Sequence, residues 1–189
     1  MATEIELKAH VRDSEALRAL LDKKAEYKCA FEKEDSYWFP DGPSGLPRSG
    51  LRIRRENRSF PDGSSESSAF ATFKTKEVRE GIEVNDEREF EVRPARTFED
   101  FIGRMGLKPG AAKKKKGRSY SRDGISAELC DVEGLGWFIE LEILADNSLE
   151  ETVKAARKRL LDLLSDLGVE SEAIESRYYT EMLREVVLG

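Results

Sequence analysis

Charged and apolar side chains alternate without a break along the first residues of the chain. Because successive side chains of a β-strand point to opposite faces, this stretch has one charged face and one apolar face. The charged face carries Glu4, Glu6, Lys8 and His10, and the apolar face carries Ile5, Leu7 and Ala9. An ordinary half-exposed strand shows the same alternation, so the pattern predicts a strand but leaves the role of its charged face open.

The same period of two returns in six later stretches, which are separated by residues typical of turns. Several of these stretches are rich in β-branched or aromatic residues and are bounded by Pro or Gly, which favours strands. We therefore predict an antiparallel sheet. Its later strands lie at 35–39, 51–54, 70–76, 87–92, 125–131 and 137–143.

Apolar residues at helical spacing predict four helices between and after these strands. They run from Asp13 or Ser14 to about Lys24, from Thr97 to Gly106, from Ser148 to Gly168, and from about Ser176 to Val187. Asp13, Thr97 and a capping box of Ser148 and Glu151 are the expected N-caps. The prediction is an α+β fold in which the helices pack outside the sheet.

Composition narrows the class of protein. The 189 residues contain no low-complexity linker, so we expect a single domain over 1–189. A formal net charge of -6 argues against a nucleic-acid or anionic-membrane surface. No segment approaches the roughly 20 apolar residues of a bilayer span, and we expect a cytoplasmic protein. Cys29 and Cys130 lack metal or redox spacing and fit reduced, buried thiols.

Like charges are sorted strand by strand, two residues apart. The pairs are Arg52 and Arg54, Lys74 and Lys76, Glu89 and Glu91, and Glu140 and Glu142. Such pairs are unfavourable on an open face, so they favour a closed barrel whose charged faces turn inward. We expect Glu6, Arg54, Glu91 and Glu142 to point into one cavity. Its basic strands would bind an anion and its acidic strands a divalent cation, which together match a polyphosphate with its metals.

In order along the chain, these residues resemble the CYTH superfamily, the triphosphate tunnel metalloenzymes. The residues that carry the resemblance are Glu4, Glu6, Lys8, Leu51 to Arg54, Lys74, Glu89, Glu91, Lys116, Arg118, Asp131, Glu140 and Glu142. Within the superfamily the chain is most similar to the class IV adenylyl cyclases. That likeness lies in Glu34 to Tyr37, Arg118 to Tyr120, Asp131 with Gly134 to Gly136, and Ser176 to Tyr178.

The resemblance implies a closed antiparallel eight-stranded β-barrel, a tunnel that holds a nucleoside or inorganic triphosphate. It assigns the phosphates to Lys8, Arg52, Arg54, Lys74, Lys116 and Arg118. It assigns Mg2+ or Mn2+ to Glu4, Glu6, Glu140 and Glu142, joined by Asp131. Lys8, Arg118 and Asp131 are the residues expected to act in the reaction, in which catalysis is mostly electrostatic.

Strand alternation leaves two of these assignments open. Asp131 shares its face with Ala127 and Leu129, so it reaches the tunnel only where the wall is apolar or a bulge intervenes. The register of the lysine run 113–116 is open because Gly117 can interrupt the alternation before Arg118. Lysine runs are commonly solvated, and we expect Lys113 and about half of the run to be exposed.

Three functions are compatible with such a tunnel. A cyclase converts ATP to 3′,5′-cyclic AMP and pyrophosphate, whereas a triphosphatase hydrolyses a terminal phosphate of tripolyphosphate or thiamine triphosphate. A non-catalytic binder is less favoured, because binding alone needs only the basic strands. The resemblance favours the cyclase. The apolar patch of Ala127 and Leu129 beside Asp131 is compatible with a site for the base, and ordinary packing in a strand explains it equally well. A homodimer is possible, and neither nucleic acid nor a membrane is an expected partner.

Overall fold

Eight antiparallel strands close into a barrel in the computed structural model, which describes residues 3–40 and 49–188. The strands are β1 (Thr3–His10), β2 (Glu26–Phe39), β3 (Ser49–Ser59), β4 (Ser65–Arg79), β5 (Ile82–Glu91), β6 (Lys108–Arg122), β7 (Ile125–Val132) and β8 (Gly136–Ala145). Their order around the barrel is β1-β5-β4-β3-β2-β6-β7-β8, and β8 pairs with β1 to close it. The predicted fold class is confirmed.

Several strands extend well beyond the alternation that predicted them. β2 begins nine residues before Asp35, at Glu26, and the lysine run lies inside β6, where the pattern predicted no strand. Long polar stretches escape a hydrophobic-pattern search because neither of their faces is apolar in sequence. In the barrel these stretches are paired on both sides, which satisfies their backbone groups.

Four α-helices accompany the barrel in the described residues, and none of them is long and apolar enough to cross a membrane. They are α1 (Ser14–Lys24), α2 (Ala95–Arg104), α3 (Glu150–Asp166) and α4 (Tyr179–Leu188). Asp13 caps α1 as predicted. The expected N-caps of α2 and α3 are wrong. α2 already begins at Ala95, and the Asn147 side chain, not Ser148, accepts the Leu149 N–H at 3.0 Å before α3.

The main hydrophobic core lies outside the barrel, between its outer face and two helices. Ile5 and Leu7 of β1 and Leu141 of β8 turn outward and are almost fully buried. They pack in one cluster with Leu21 of α1 and Leu160 of α3. Burial of these apolar side chains is the main stabilising term, and it fixes the opposite, charged faces of the same strands toward the interior.

The C-terminal segment covers one end of the barrel. Ile174 forms a β-bridge with Ala9, and the Glu175 N–H donates to the Lys8 carbonyl at 2.9 Å. α4 follows, and its Tyr179 and Met182 join a second apolar cluster with inward-facing side chains such as Phe138. This end of the barrel is therefore filled by apolar and aromatic groups, and the polar interior is reached from the other end.

Candidate active site

The interior of the barrel, called the tunnel below, has a wall lined by carboxylates. These side chains come from four strands, β1, β5, β7 and β8, because each strand turns every second residue inward. The acidic wall consists of Glu4, Glu6, Glu83, Glu128, Glu140 and Glu142, which all line one narrow cavity of about 90 Å³. A single strand pair could not bring so many carboxylates together, so the closed sheet is what creates this wall.

Cationic side chains from β2, β3 and β6 line the same narrow cavity. The basic wall consists of Lys33, Arg52, Arg54, Lys113 and Lys115. Lys8 of β1 is also buried, and its ammonium lies 2.5 Å from a carboxylate oxygen of Glu83. The tunnel therefore holds two sets of opposite charges at close range, and each set offsets the desolvation of the other.

A lysine bridge joins the two walls. The Lys115 ammonium lies 2.5 Å from Glu140 and 2.9 Å from Glu128, and Lys33 lies 2.5 Å from Glu128. Burial would raise the pKa of Glu140, but the nearby ammonium groups of Lys115 and Lys113 together hold that pKa below its ordinary value. Lys115 and Lys33 together lower the pKa of Glu128 in the same way. Both carboxyl groups are consequently ionised at neutral pH.

A second ion-pair group orients an arginine of the basic wall. Arg54 donates from Nε and Nη2 to the two carboxylate oxygens of Asp35, at 2.7 and 2.9 Å. Asp35 is fully buried and also lies 3.1 Å from the Lys113 ammonium. Burial opposes its charge, yet the Arg54 guanidinium beside it holds the pKa of Asp35 well below the usual value. This bidentate geometry fixes the guanidinium plane.

Arg52 keeps unused hydrogen-bonding capacity in the tunnel. Its Nη2 donates to Glu87 at 2.9 Å and to Thr72 at 3.1 Å. Its Nε is buried and has no hydrogen-bond partner within the part of the chain that the structure describes. An orphaned, buried guanidinium donor is costly by itself. It is well suited to an anion such as a phosphate oxygen, which accepts bidentate hydrogen bonds from arginine.

Comparison with known proteins agrees with this geometry. The CYTH domain family model matches residues 2–179. The chain belongs to the CYTH family. A Methanocaldococcus jannaschii protein named "Putative adenylate cyclase MJ0240" is 26% identical over 187 residues, which cover 95% of this chain and 97% of that protein. CYTH tunnel enzymes depend on divalent metal ions.

Solved structures share the same architecture. The PH1819 protein of Pyrococcus horikoshii is 28% identical and superposes with a TM-score of 0.81, covering 96% of this chain and 98% of that one. A Hippeastrum protein named "Putative adenylyl cyclase HpAC1" is 17% identical with a TM-score of 0.60, covering 98% of this chain and 96% of that one. At that identity the similarity to the Hippeastrum protein shows a shared fold alone.

Most residues assigned through the CYTH resemblance do meet in the tunnel. The carboxylates of Glu4, Glu6, Glu140 and Glu142 and the guanidinium groups of Arg52 and Arg54 line the narrow cavity, and Lys8 is buried beside Glu83. The position of Lys74 in β4 is described, but its side chain lies outside the described residues. Glu91 pairs across the strands with Phe70, which in turn pairs with Arg54, so it shares their inward direction, but it lies exposed at the end of β5 and does not line the narrow cavity.

Three assigned residues point away from the tunnel. Lys116 and Arg118 of β6 face outward, and Arg118 places its guanidinium 5.3 Å from the ring centre of Tyr27 on that outer face. Asp131 pairs with Lys116 across the strands and shares its outward direction. The expectation that these three side chains line the tunnel is wrong, because β6 and β7 keep strict alternation with the opposite parity.

Gly117 allows β6 to keep the regular alternation that turns Lys116 and Arg118 outward. It lies on the inward face opposite Cys130, where a side chain would collide with the backbone of β7. The strands thus approach closely at this glycine without a bulge. Lys113 and Lys115 accordingly turn inward and are buried, so the expectation that Lys113 is solvated is also wrong.

Several tunnel residues escaped the sequence reasoning, namely Lys33, Asp35, Glu83, Lys113, Lys115 and Glu128. For Glu128 the signal was present: it alternates with Ala127 and Leu129, which are buried in the outer core, so it must face the tunnel. Ala127 and Leu129 lie beneath the helices and therefore do not receive a base. For Lys33, which lies in the part of β2 without an apolar period, no such signal existed.

The acidic wall has the chemistry of a divalent-cation site. Mg2+ and Mn2+ prefer carboxylate oxygens, and Glu4, Glu6, Glu128, Glu140 and Glu142 supply them around one cavity. Among residues 3–40 and 49–188, no three acidic, His or Cys side chains are grouped closely enough to hold a metal as they stand. Lys115 occupies the space between Glu128 and Glu140, so it must move before both can bind one ion.

Proposed function

We propose that this CYTH protein is a class IV-type adenylyl cyclase, which converts ATP to 3′,5′-cyclic AMP and pyrophosphate with a divalent metal. The observation that carries the proposal is the lysine bridge, in which Lys115 joins Glu140 and Glu128 across the tunnel. A metal–triphosphate complex matches both halves of this bridge. Its cation replaces the ammonium beside the carboxylates, and its phosphates replace the carboxylates beside the ammonium.

The basic wall would bind the phosphates. Arg54, held by Asp35, and Arg52, whose Nε has no hydrogen-bond partner among the described residues, offer oriented guanidinium donors. Lys113 and Lys115 add ammonium groups in the same cavity, and Lys8 is buried close by. Such preorganised cations stabilise the charge that develops on the leaving pyrophosphate without further reorganisation.

The acidic wall would hold the metal. Glu4, Glu6, Glu140 and Glu142 are the assigned ligands, and Glu128 takes the place that Asp131 had in the sequence-based assignment. A divalent cation bound there would lower the pKa of the attacking hydroxyl and neutralise phosphate charge. Because Glu128 and Glu140 have lowered pKa values, they suit ligation better than proton acceptance.

The reaction balances without a covalent enzyme intermediate. The ribose 3′-oxygen forms a bond to the α-phosphorus, and the bond from that phosphorus to the bridging oxygen of pyrophosphate breaks. The hydroxyl proton is released to solvent, and pyrophosphate leaves from the basic wall. Side chains of the tunnel position the reacting groups and stabilise charge, which is the main contribution expected in phosphoryl chemistry.

Hydrolysis of tripolyphosphate or thiamine triphosphate is the second candidate. The side chains proposed to bind phosphates or metal do not depend on the organic part of the substrate, so the same walls would serve attack by water on a terminal phosphorus. The Hippeastrum protein, described as having a dominant triphosphatase activity, has this fold. Both products must therefore be measured.

Product analysis decides between the two reactions. The purified chain is incubated with ATP, tripolyphosphate or thiamine triphosphate, with Mg2+ or with Mn2+, and the products are separated by ion-exchange chromatography. Equal amounts of cyclic AMP and pyrophosphate from ATP support the cyclase. Orthophosphate, faster turnover of tripolyphosphate and no cyclic product would assign the triphosphatase instead. A Lys115→Met preparation, purified in parallel, controls for contaminating enzymes.

A further inference from the structure

The wide end of the tunnel differs chemically from the narrow cavity. A chamber of about 600 Å³ opens there and shares charged residues of both walls with the narrow cavity, among them Glu4, Glu142, Arg52 and Arg54. Apolar side chains contribute to its lining, and they include Phe60, Phe70 and Leu144. A volume of this size is typical of pockets for drug-sized ligands, and inorganic phosphates have no use for an apolar lining.

These apolar residues directly adjoin the charged walls. Phe70 pairs across the strands with Arg54 of the basic wall. Leu144 pairs with Glu4 and follows Glu142 by two residues on β8. Leu144 is 65% exposed, which places it at the rim of the tunnel. A ligand whose phosphates lie between the walls would thus bring its organic part against these side chains.

The opposite end of the tunnel is much narrower than the wide end. Tyr179 at the start of α4 and Tyr178 just before it line the narrow cavity, and the Lys113 ammonium lies 4.9 Å from the centre of the Tyr179 ring. The narrow cavity has a volume of about 90 Å³, much smaller than the chamber of about 600 Å³ at the wide end. The terminal phosphate therefore points toward α4, and the organic part points toward the wide end.

Core packing does not account for the two phenylalanines. Neither Phe60 nor Phe70 belongs to the two apolar clusters of buried residues. Within the described part of the chain, no ring–ring contact joins either of them to another aromatic side chain. Both are only partly buried and face the chamber. Their ring faces are thus available to a flat ligand.

We infer that Phe60, Phe70 and Leu144 form the subsite for the base of a nucleoside triphosphate. The inference rests on the proposed function, because it takes the triphosphate to lie between the two walls. An aromatic ring stacks on any base, since every base has a π-face. The subsite therefore selects nucleotides over inorganic polyphosphates, while selection among bases is weak.

Binding without turnover tests this subsite. The dissociation constants of α,β-methylene-ATP and of tripolyphosphate, each with Mg2+, are measured by titration calorimetry for the wild type and for Phe60→Ala and Phe70→Ala. Loss of stacking should weaken nucleotide binding on the order of 10-fold and leave tripolyphosphate binding unchanged. Phe73→Ala is the matched control, because Phe73 lies on the same strand as Phe70, is 49% exposed and does not line the chamber.

The results of these binding measurements distinguish a failure of the base subsite from a failure of the proposed cyclase reaction. Equal weakening for both ligands, or none for either, would overturn the subsite. Phe70→Tyr keeps an aromatic ring and should bind the nucleotide as tightly as the wild type does. If Phe70 had only a structural role, its replacement by Ala would weaken the binding of α,β-methylene-ATP and of tripolyphosphate equally. A wild type that forms no cyclic AMP yet shows the ring-dependent preference would refute the cyclase and uphold the subsite. A wild type that binds neither ligand would refute both.

Discussion

The ammonium of Lys115 lies 2.5 Å from a carboxylate oxygen of Glu140, and both side chains are buried inside the barrel. Removing only one partner of a buried ion pair leaves an uncompensated charge, which is strongly unfavourable. A cation that takes Glu140 and an anion that takes Lys115 therefore favour each other's binding. In this tunnel the metal and the triphosphate are expected to bind more tightly together than either does alone.

Two adjacent lysines should differ sharply in their importance for activity. Lys115 faces the tunnel, whereas Lys116 is exposed on the outer face. Lys115→Met removes the buried ammonium that the proposed function places beside the phosphates, and it should lower the turnover rate about 100-fold or more. Lys116→Met should retain nearly full activity. Steady-state kinetics with ATP and Mg2+ measure both, and a large loss in the Lys116 variant alone would contradict the assigned register of β6.

Removing charge from the acidic wall should abolish metal-dependent activity. Glu140→Gln with Glu142→Gln keeps side-chain size but removes two negative charges that attract the cation. We expect activity to disappear at ordinary Mg2+ concentrations and to return only in part at high Mg2+ or Mn2+. Glu34→Gln is the control, because Glu34 is exposed and pairs with Lys114 outside the tunnel. Full activity of the double variant would exclude these carboxylates as ligands.

The Asp35→Asn variant should unfold much more readily than the wild type. The substitution would leave the Arg54 guanidinium buried without its bidentate acceptor. Loss of one partner of a buried ion pair costs about 3 to 5 kcal/mol, and we expect the free energy of unfolding to fall by that order. Urea denaturation at pH 7 measures it. Asp86→Asn, which alters an exposed pair with Arg88, should unfold at nearly the wild-type urea concentration.

The junction before α4 should respond to acid through Glu175. Hydrogen bonds from the Arg177 guanidinium lower the pKa of Glu175 to about 2. Because its pKa in the unfolded chain is about 4.3, the carboxylate stabilises the fold fully above roughly pH 5 and loses this effect as pH falls toward 2. Glu175→Gln should therefore be less stable than the wild type at pH 7, and the difference should shrink in acid.

Urea denaturation at several pH values tests the role of Glu175. The gap in unfolding free energy between the wild type and Glu175→Gln should be widest near neutral pH and nearly closed near pH 2. Glu172→Gln changes an exposed residue of the same segment and should follow the wild-type profile. A gap that stayed constant from pH 7 to pH 2 would mean that the titration of Glu175 does not contribute.

Local pattern was sufficient for much of the barrel. Alternation over β1 and β8 identified the faces that carry Glu4, Glu6, Glu140 and Glu142, and the structure places all four in the tunnel. The same logic holds for Arg52 and Arg54 on β3. On β1 and β8 the apolar neighbours at every second position are buried in the outer core, and on β3 Ile53 is fully buried, so this burial dictates the direction of the charged residues.

Where a strand carries polar residues on both faces, the sequence pattern does not show which face turns toward the tunnel. The lysine run of β6 offers four candidates for the tunnel, and only pairing with β2 and β7 turns Lys113 and Lys115 inward and Lys116 outward. A one-residue slip would exchange these sets. Gly117, which allows the close approach of β7, holds the observed register.

The sequence by itself determined that charged strand faces exist, how their signs are sorted and which family they match. Only the tertiary structure decided which charges meet. Lys115 and Glu140 are 25 residues apart, and Lys8 and Glu83 are 75 apart. Ring closure brings such pairs within hydrogen-bonding distance. The physical reason is that a strand fixes the direction of its side chains locally, whereas their partners depend on strand order and register across the whole barrel.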